Sequence, residues 1–488
     1  MEPNLTDYGP FSFRDSFAGM VYWGRLKKGT LARAEKVFEE TRLFCRQHLR
    51  PLALGADLAA QRDPRTLAWE LVDLAARHRM LSRLIPRFLG GSSPGVFWAL
   101  YPCIEELAAA DPGFLGLLGG HELGLTALAL TLDFPRLEWV CRRVVQGELS
   151  GRPFLIDCAL TEPSAGTDYE EAKLLQRAGL TCRAEKVPGG AVLNGRKCFI
   201  STGHLASCHL VIIPFDDRDR VGSLGGFLVP RDAPGFSLGV LEEKMGQKAG
   251  PASELIFEDC FVPDEFIVAR PEGQPPGYGE TLLETVLGIT RTAVGAWSTG
   301  IARGAFEAAL DFARTTRSQG RPLATRQWVQ ELLTDMLANV FTARAVYCEA
   351  SAVLFRSFLP AELPRFTQSS WFARLYHHPG VRRLRYSRRA AHLARNWLAG
   401  QPVPERQRLQ YYSSLAKVVG SDLGLANCNL ALDLMGREGL RHEAGVEKLY
   451  RDAKLCQIFE GTNQLNRLHM FENYVARRRP EYQVFGGD

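Results

Sequence analysis

A turn rich in glycine and hydroxyl side chains, ALTEPSAGTD at residues 159–168, directly follows the apolar run FLIDC. Backbone N–H groups exposed where a strand ends, together with the hydroxyls of Thr161 and Thr167, can bind a phosphate or a flat heterocycle. Turns of this composition also occur without any ligand, so the segment alone leaves both interpretations open.

A second segment, VLNGRKCFISTG at residues 192–203, predicts a strand after the hairpin turn at Gly189-Gly190. Phe199 projects from this strand, where it either stacks on a planar ligand or packs as an ordinary core aromatic. The next segment, EKMGQKAGPASELIFEDCFVP (242–263), indicates a strand and a proline-stopped turn, and thus architecture more than chemistry.

The segment KLYRDAKLCQIFEGTNQLNRL (448–468) carries a candidate general base. Its apolar residues share one helical face, Gly461 can end that helix, and Thr462 can cap the next one. Glu460 is then expected at a helix C-terminus, where the helix dipole and partial desolvation raise the pKa of its carboxyl. A glutamate before a glycine is also commonly a solvated helix end, which is the alternative.

The elements that must position these segments follow the order helical, sheet, helical. Apolar residues recur at helical spacing in residues 31–49 and 66–81, whereas short Val-, Ile- and Phe-rich runs occupy 151–270. Helical patterns return beyond residue 280, and the one from Thr290 to Ser318 has its apolar residues on a single face.

Residues 356–408 are dense in arginine and interleaved with aromatic residues such as Trp371 and Trp397. The stretch looks inserted between two helices. We interpret it as a solvated or subunit-contacting helical excursion. The alternative is a patch that steers an anionic ligand or touches an anionic membrane surface.

Composition limits the function classes. The chain has 488 residues, 46% hydrophobic and 23% charged, and its net charge of +5 is too small to indicate nucleic-acid binding. Eleven scattered cysteines without a C-x-x-C pair favour buried thiols in a reducing compartment over disulfides or a zinc site. No metal site is predicted, and a cytoplasmic location is expected.

Neither a targeting segment nor a membrane span is expected. The first residues, MEPNLTDYGPFSFRDSF, carry three acidic residues and no apolar core. The apolar stretch 114–132 contains His121, Glu122 and four glycines, which predicts packed helices.

Taken together, in this order and spacing, the four segments resemble the acyl-CoA dehydrogenase family of flavoproteins over residues of about 30 to 475. The resemblance implies an α+β fold with an N-terminal helical domain (1–150) and a central β-barrel-like domain (151–275). A C-terminal four-helix-bundle domain (276–488) then carries the insertion at 356–408.

The resemblance implies α,β-dehydrogenation of an acyl-CoA thioester, or of a carrier-bound acyl thioester, with FAD as cofactor. Glu460 matches the family's base, which takes the α-proton while flavin N5 takes the β-hydride. Some members carry the base just before the residue that matches Arg291, where this chain has Thr290. Arg291 is implied near the acyl-CoA site; its alternative is an exposed or ion-paired helix arginine.

Other site residues follow from the resemblance one by one. Thr167 and Phe459 match substrate positions, and the backbone N–H of Glu460 matches a donor to the thioester carbonyl. Gln327 matches an FAD contact from the neighbouring subunit, so a homodimer or a tetramer is expected. The positions matched to FAD contacts are Cys158, Leu160, Thr161, Thr167, Phe199, Ser201, Arg317, Gln327, Gly436, Arg437, Thr462 and Gln464.

The chain departs from the family pattern at the FAD diphosphate. Thr316 and Gln319 stand where R-x-x-F-G has arginine and phenylalanine, and Asp433 stands where Q-x-x-G-G has glutamine. Arg317 and Arg437 are candidates to restore the lost charge. A second hypothesis stays open: the same scaffold without redox use, as a flavin-free thioester lyase or isomerase or as a non-catalytic binding protein.

For a redox-active protein, the resemblance implies an electron-transfer flavoprotein as the electron acceptor. Gly250 and Ala252 stand where hydroxyl residues are usual, which removes two hydrogen-bonding groups. These departures indicate an unusual acyl group, such as a branched, cyclic or carrier-bound one.

Overall fold

The computed structural model describes residue 17 and residues 28–360 and 362–485. Except for Phe17, the first 27 residues, where no targeting segment is expected, lie outside the described part. The helical, sheet, helical order predicted from the sequence is confirmed.

The N-terminal region is helical, as its apolar spacing predicts. Asp111 and Asp133 cap two of its helices through their side chains, and a proline lies in the first turn of each. The described α-helices of this region are α1 (Lys28–Phe44), α2 (Arg50–Arg62), α3 (Trp69–Arg77), α4 (Leu100–Ala110), α5 (Pro112–Leu130) and α6 (Phe134–Ser150).

The middle region forms two four-stranded sheets that share an apolar core. In one sheet the order is β1-β4-β5-β8, with β1 and β4 parallel, and in the other it is β2-β3-β7-β6, all antiparallel. The expected barrel-like domain thus takes the form of two facing sheets, and the described strands form no closed barrel. The elements are β1 (Ile156–Ala159), α7 (Ala172–Arg177), β2 (Arg183–Val187), β3 (Gly190–Ser201), β4 (Cys208–Pro214), β5 (Leu224–Pro230), β6 (Phe236–Leu241), β7 (Ala252–Pro263) and β8 (Ile267–Ala269).

Long helices dominate the C-terminal region. A short hairpin follows the first of them, and three short helices lie in the predicted insertion. The elements are α8 (Tyr278–Thr315), β9 (Arg317–Ser318), β10 (Arg321–Pro322), α9 (Gln327–Ser357), α10 (Ser370–His377), α11 (Pro379–Arg385), α12 (Arg388–Ala399), α13 (Val403–Met435), α14 (Val446–Cys456) and α15 (Asn463–Phe471).

Helix α5 brings the N-terminal region close to the sheets. A Cβ on Gly120 would lie 2.9 Å from Cβ of Ser201, and one on Gly124 would lie 2.8 Å from the carbonyl oxygen of Asp157. These glycines therefore allow α5 to pack directly on the ends of β1 and β3. In length and composition α5 could cross a membrane, but 67% of its apolar window is buried inside the protein, as in a core helix.

Candidate active site

Glu460 lies in the loop between α14 and α15. The helix expected to end at Gly461 ends earlier, at Cys456, so Glu460 is not at a helix C-terminus. Its φ of +55° is in the left-handed region, which costs a non-glycine residue about 1–3 kcal/mol. Arg291 Nε and Asn466 Nδ2 hold this conformation by donating to the Glu460 carbonyl oxygen, each at 3.2 Å.

The carboxyl of Glu460 is half-buried and hydrogen-bonded. The hydroxyl of Thr290 donates to its Oε2 at 2.6 Å. Burial raises the pKa of Glu460, although the Thr290 hydrogen bond and the charges of Arg291 and Lys417 act to lower it. The predicted direction is therefore right, and of its two expected causes only desolvation applies, because a helix dipole fades within one turn of the helix end.

Arg291 connects the Glu460 loop to Glu170, just after the turn at residues 159–168, which we call the T-E-P turn. It is fully buried on α8, and its Nη2 donates to Glu170 Oε2 at 3.1 Å while Nη1 donates to Gln410 Oε1 at 3.1 Å. Burial raises the pKa of Glu170 to about 7, with Arg291 opposing the rise and Glu460 adding to it. Arg291 is thus ion-paired and not exposed, and two carboxyl groups share its charge.

Lys417, on α13, is a second buried cation beneath the same loop. Its Nζ donates to the carbonyl oxygen of Gly461 and to Asn463 Oδ1, both at 2.6 Å. Burial lowers the pKa of Lys417 to about 7. The backbone that follows Glu460 is therefore held by a side chain that has no solvent contact.

The T-E-P turn is built around a buried carboxylate. Glu162 pairs with Lys197 Nζ at 3.0 Å and accepts hydrogen bonds from the Tyr169 hydroxyl at 2.8 Å and the Thr181 N–H at 2.6 Å. Burial acts to raise the pKa of Glu162, but the Lys197 charge and the hydrogen bonds from the Cys182 and Thr181 N–H groups lower it to about 2. This network fixes the turn on which Thr161 and Thr167 lie half-exposed.

Phe199 is displayed and not buried. It sits at a register shift between Lys197 and Ile200 in the pairing of β3 with β7, with φ at +55°, and its side chain is 60% exposed. This exposure excludes the core-aromatic alternative. The Cys198 N–H donates to the Thr161 carbonyl oxygen at 2.9 Å, so the aromatic ring stands beside the T-E-P turn. An exposed aromatic in a strained conformation at this edge fits a planar ring as ligand.

Other residues matched to the family's FAD contacts lie along the T-E-P turn and after the Glu460 loop. The Leu160 carbonyl oxygen accepts from Lys197 Nζ at 2.7 Å, and Thr462 caps α15 through the Leu465 N–H at 3.3 Å. Burial raises the pKa of the Cys158 thiol on β1, and the charges of Asp157 and Glu460 add to the rise. Ser201 and Gln464 are exposed.

Four matched residues lie elsewhere: Arg317, Gln327, Gly436 and Arg437. All are exposed, and the Arg437 side chain, 92% exposed, pairs only loosely with Glu438 at 3.5 Å. Thr290 lies in the first half of α8 and Arg317 follows the end of that helix, so roughly 40 Å of helix separates them at 1.5 Å per residue. Gly436 and Arg437 follow the end of α13, roughly 27 Å of helix from Lys417. One chain therefore does not bring Arg317, Gly436 or Arg437 to Glu460.

Phe459 lies beside an aromatic wall. Its ring is 5.4 Å from that of Trp297, whose far edge would lie 3.6 Å from a Cβ on Gly116 or Gly119 of α5. The space between α5 and α8 next to the base is thus partly filled by the Trp297 indole.

The departure at Gly250 has a packing cause. A Cβ there would lie 2.7 Å from the Gly113 carbonyl oxygen and 2.9 Å from the Leu117 backbone nitrogen. A hydroxyl residue would displace α5, so the glycine belongs to this close contact. Ala252 is buried at the start of β7, while Thr316 is half-exposed and Gln319 and Asp433 are exposed.

Among the described residues, Asp57, His442 and Glu447 are near enough to one another to hold a metal ion. Arg451 already donates to Asp57 Oδ2 at 2.7 Å and to Glu447 Oε2 at 2.7 Å. His442 Nδ1 is 2.9 Å from Glu447 Oε1. The group is therefore satisfied as a network of ion pairs.

Sequence reasoning missed three charged residues of the site. Lys417 stands inside the apolar pattern of α13, and a lysine in such a pattern is a signal for a buried cation. Glu162 and Glu170 lie in and just after the T-E-P turn, and nothing in their spacing shows which partner they meet.

Two family models match the chain: "Acyl-CoA dehydrogenase, middle domain" over residues 158–260, and "Acyl-CoA dehydrogenase, C-terminal domain" over residues 277–357 and 383–475. Together they cover more than half of the chain. The gap at 358–382 is shorter than the insertion predicted at 356–408, because the family model resumes at residue 383.

Named relatives and solved structures agree with these matches. "Probable acyl-CoA dehydrogenase FadE25" of Mycobacterium tuberculosis is 28% identical over 75% of this chain and 77% of its own length. "Cyclohexane-1-carbonyl-CoA dehydrogenase" of Geobacter metallireducens is 26% identical over 88% of this chain and 94% of its own. The structure of butyryl-CoA dehydrogenase from Megasphaera elsdenii superimposes with a TM-score of 0.69 at 22% identity, covering 90% of this chain and 97% of that chain.

Proposed function

This chain belongs to the acyl-CoA dehydrogenase family of oxidoreductases, and we propose that it dehydrogenates an acyl thioester between Cα and Cβ with Glu460 as the base. The observation that carries this proposal is the Glu460 loop itself. A half-buried carboxyl, 2.6 Å from Thr290, is held on a strained backbone by two donors to its own carbonyl oxygen.

The residues around Glu460 serve the removal of one proton, the α-proton of the thioester. Burial raises the pKa of Glu460, so its carboxylate is a stronger base than a solvated glutamate and can take the α-proton of a thioester. Arg291 and Asn466 occupy the Glu460 carbonyl, which fixes the peptide and leaves the Glu460 N–H as a donor to the thioester oxygen. Phe459 and Trp297 form the wall met by the acyl group.

The residues around Phe199 fit FAD. The exposed Phe199 ring and the half-exposed Cys158, Leu160 and Thr161 form one edge suited to the flavin ring, with Thr462 and Gln464 on the side of the base. When bound, FAD supplies the acceptor for the hydride that leaves Cβ.

We further propose that two subunits complete each FAD site. Arg317, Gln327, Gly436 and Arg437 are all exposed. Arg317 lies roughly 40 Å along α8 from Thr290, and Gly436 and Arg437 follow the end of α13, roughly 27 Å of helix from Lys417, so within one chain these three serve no site near Glu460. A second copy can bring its own set to the first copy's flavin edge. A homodimer or tetramer satisfies this requirement.

The remaining partners follow from the family. We propose an acyl-CoA or carrier-bound acyl thioester as substrate and an electron-transfer flavoprotein as acceptor. All eleven cysteines are free thiols and ten are buried, which supports a reducing, cytoplasmic environment.

Glu460→Gln tests the proposal directly. The amide keeps the size of the side chain but cannot accept the α-proton, so we expect turnover and α-proton exchange to fall by about 10²–10⁴-fold. The flavin absorption of the purified variant should match that of the native protein, because Glu460 does not hold the cofactor.

The exposed Glu443→Gln, on the same region of the chain, is the matched control and should behave as the native protein. Native-like turnover by Glu460→Gln would place the base elsewhere. A colourless native protein that takes up no added FAD, but still exchanges the α-proton, would favour the flavin-free lyase or isomerase hypothesis.

A further inference from the structure

The helical insertion carries a surface that the proposed chemistry does not use. We name residues 363–404 the basic excursion. It contains eight arginines and no aspartate or glutamate. Its three short helices, α10, α11 and α12, lie between the end of α9 and the start of α13.

One face of the basic excursion is anchored to the body of the protein. Arg385 Nη2 donates to Glu138 Oε2 at 2.6 Å, and the Tyr386 hydroxyl donates to the same atom at 2.7 Å. Tyr376 packs on Phe88 with ring centroids 4.4 Å apart. The excursion is therefore an ordered layer and not a loose loop.

The other face exposes large apolar side chains among unpaired cations. In α12, Arg389, Leu393 and Trp397 follow one another at four-residue spacing and are all exposed, so they form one stripe. No described carboxylate forms an ion pair with the arginines of this face. On α10, α11 and α12 the exposed large apolar residues are Trp371, Leu375, Leu384, Leu393 and Trp397, and the exposed arginines are Arg374, Arg382, Arg383, Arg388 and Arg389; we call this set the outer face of the excursion.

We propose that this face binds the surface of an anionic phospholipid bilayer. Tryptophan and leucine on short surface helices enter the boundary between headgroups and acyl chains, and the surrounding arginines pair with lipid phosphates while their stems stay in the apolar layer. Four to eight clustered cations are the composition that recognises acidic lipids.

A second copy of the chain fits this face less well. A two-fold contact places the same patch on both partners, so the arginines of one excursion would face those of the other without any acid between them. A bilayer supplies both the apolar layer and the negative charge that this face lacks.

Vesicle sedimentation with the full-length protein tests the proposal. We expect binding to vesicles of equal parts phosphatidylcholine and phosphatidylglycerol, little binding to phosphatidylcholine alone, and weaker binding as salt rises. Absence of binding to the mixed vesicles, or equal binding to both compositions, would overturn it.

Two variants locate the surface. The double variant Arg388→Glu/Arg389→Glu should weaken binding at least about tenfold, because it reverses two charges at the membrane. Its control, Arg477→Glu/Arg478→Glu, reverses two adjacent exposed arginines outside the excursion. Leu393→Ser should also weaken binding, whereas Leu149→Ser should not, although the two leucines are 69% and 68% exposed.

None of these side chains is buried, so we expect every variant to fold. A cooperative thermal unfolding transition for each variant checks this. Equal loss of binding in the excursion variants and their controls would refute a specific surface. Failure of the native protein to bind vesicles, together with a smaller oligomer for Arg388→Glu/Arg389→Glu, would instead assign the face to a second copy and refute the proposal.

Discussion

The cations around the Glu460 loop are buried and hydrogen-bonded, whereas those on the outer face of the basic excursion are exposed and have no carboxylate partner among the described residues. Around Glu460, Arg291 and Lys417 are buried, and each donates to acceptors of the loop or its neighbours at 2.6 to 3.2 Å. On the outer face of the excursion, the arginines have no carboxylate partner among the described residues. Charges that are buried must be paired, so they fix local geometry, whereas exposed charges are free to meet an external partner.

The contrast predicts that removing the buried side chain of Lys417 lowers both the stability of the protein and its turnover. Lys417→Met should remove the 2.6 Å donor from both the Gly461 carbonyl oxygen and Asn463 Oδ1, which keep only the weaker donors Asn466 and Ser421, lowering the free energy of unfolding by about 1–3 kcal/mol. The loosened base should lower turnover about 10- to 100-fold, since small displacements of a reacting group have effects of this size. Denaturant unfolding and steady-state kinetics measure the two effects.

Lys454→Met is the matched control, because Lys454 is an exposed lysine on the neighbouring α14. Equal effects of the two substitutions would mean that burial of the cation is not what matters.

Thr290→Val should shift the pH dependence upward. The Thr290 hydroxyl donates to the Glu460 carboxyl and lowers its pKa, so its removal raises that pKa further. Because the base must be deprotonated, the acidic limb of the kcat/KM profile should move to higher pH by about 1 unit. Thr292→Val, which removes a buried hydroxyl bonded only to the Gly288 carbonyl on the same helix, should leave the limb in place.

Glu170→Gln should shift the same limb in the opposite direction. Glu170 shares Arg291 with Glu460, so a neutral amide leaves more of the guanidinium charge to stabilise the Glu460 carboxylate. The limb should move to lower pH by less than about 1 unit. Glu185→Gln, at an exposed position on β2, is the control. An upward shift for Glu170→Gln would contradict the shared-cation description.

The smallest effect on turnover is expected for substitutions of the exposed arginines of the basic excursion. Arg388→Glu/Arg389→Glu should change kcat/KM for a soluble acyl-CoA by less than about twofold, because solvent and salt screen exposed charges remote from the site. Kinetics without lipid provide the measurement. A larger loss would show that the excursion acts on the substrate and not on a separate surface.

The sequence pattern predicts several segments of the candidate site. Distinct local patterns mark the T-E-P turn, the strand with Phe199 and the Glu460 loop. In the structure the strand is hydrogen-bonded to the turn, and Arg291 joins Glu170, just after the turn, to the Glu460 loop. The roles of Glu170 and Lys417 were not readable, since each depends on a partner more than 40 residues away in the chain. The end of α14 at Cys456 was also missed, because an apolar face continues past the last helical hydrogen bond.

Local spacing and short motifs predict the order of the helical and sheet regions, the family, and Glu460 as the candidate base. Contacts between distant segments establish which of the two expected causes raises the pKa of Glu460, which cations hold its loop, and which face of the excursion is exposed. Those properties depend on burial and on contacts between distant segments, and neither is encoded in the spacing of neighbouring residues.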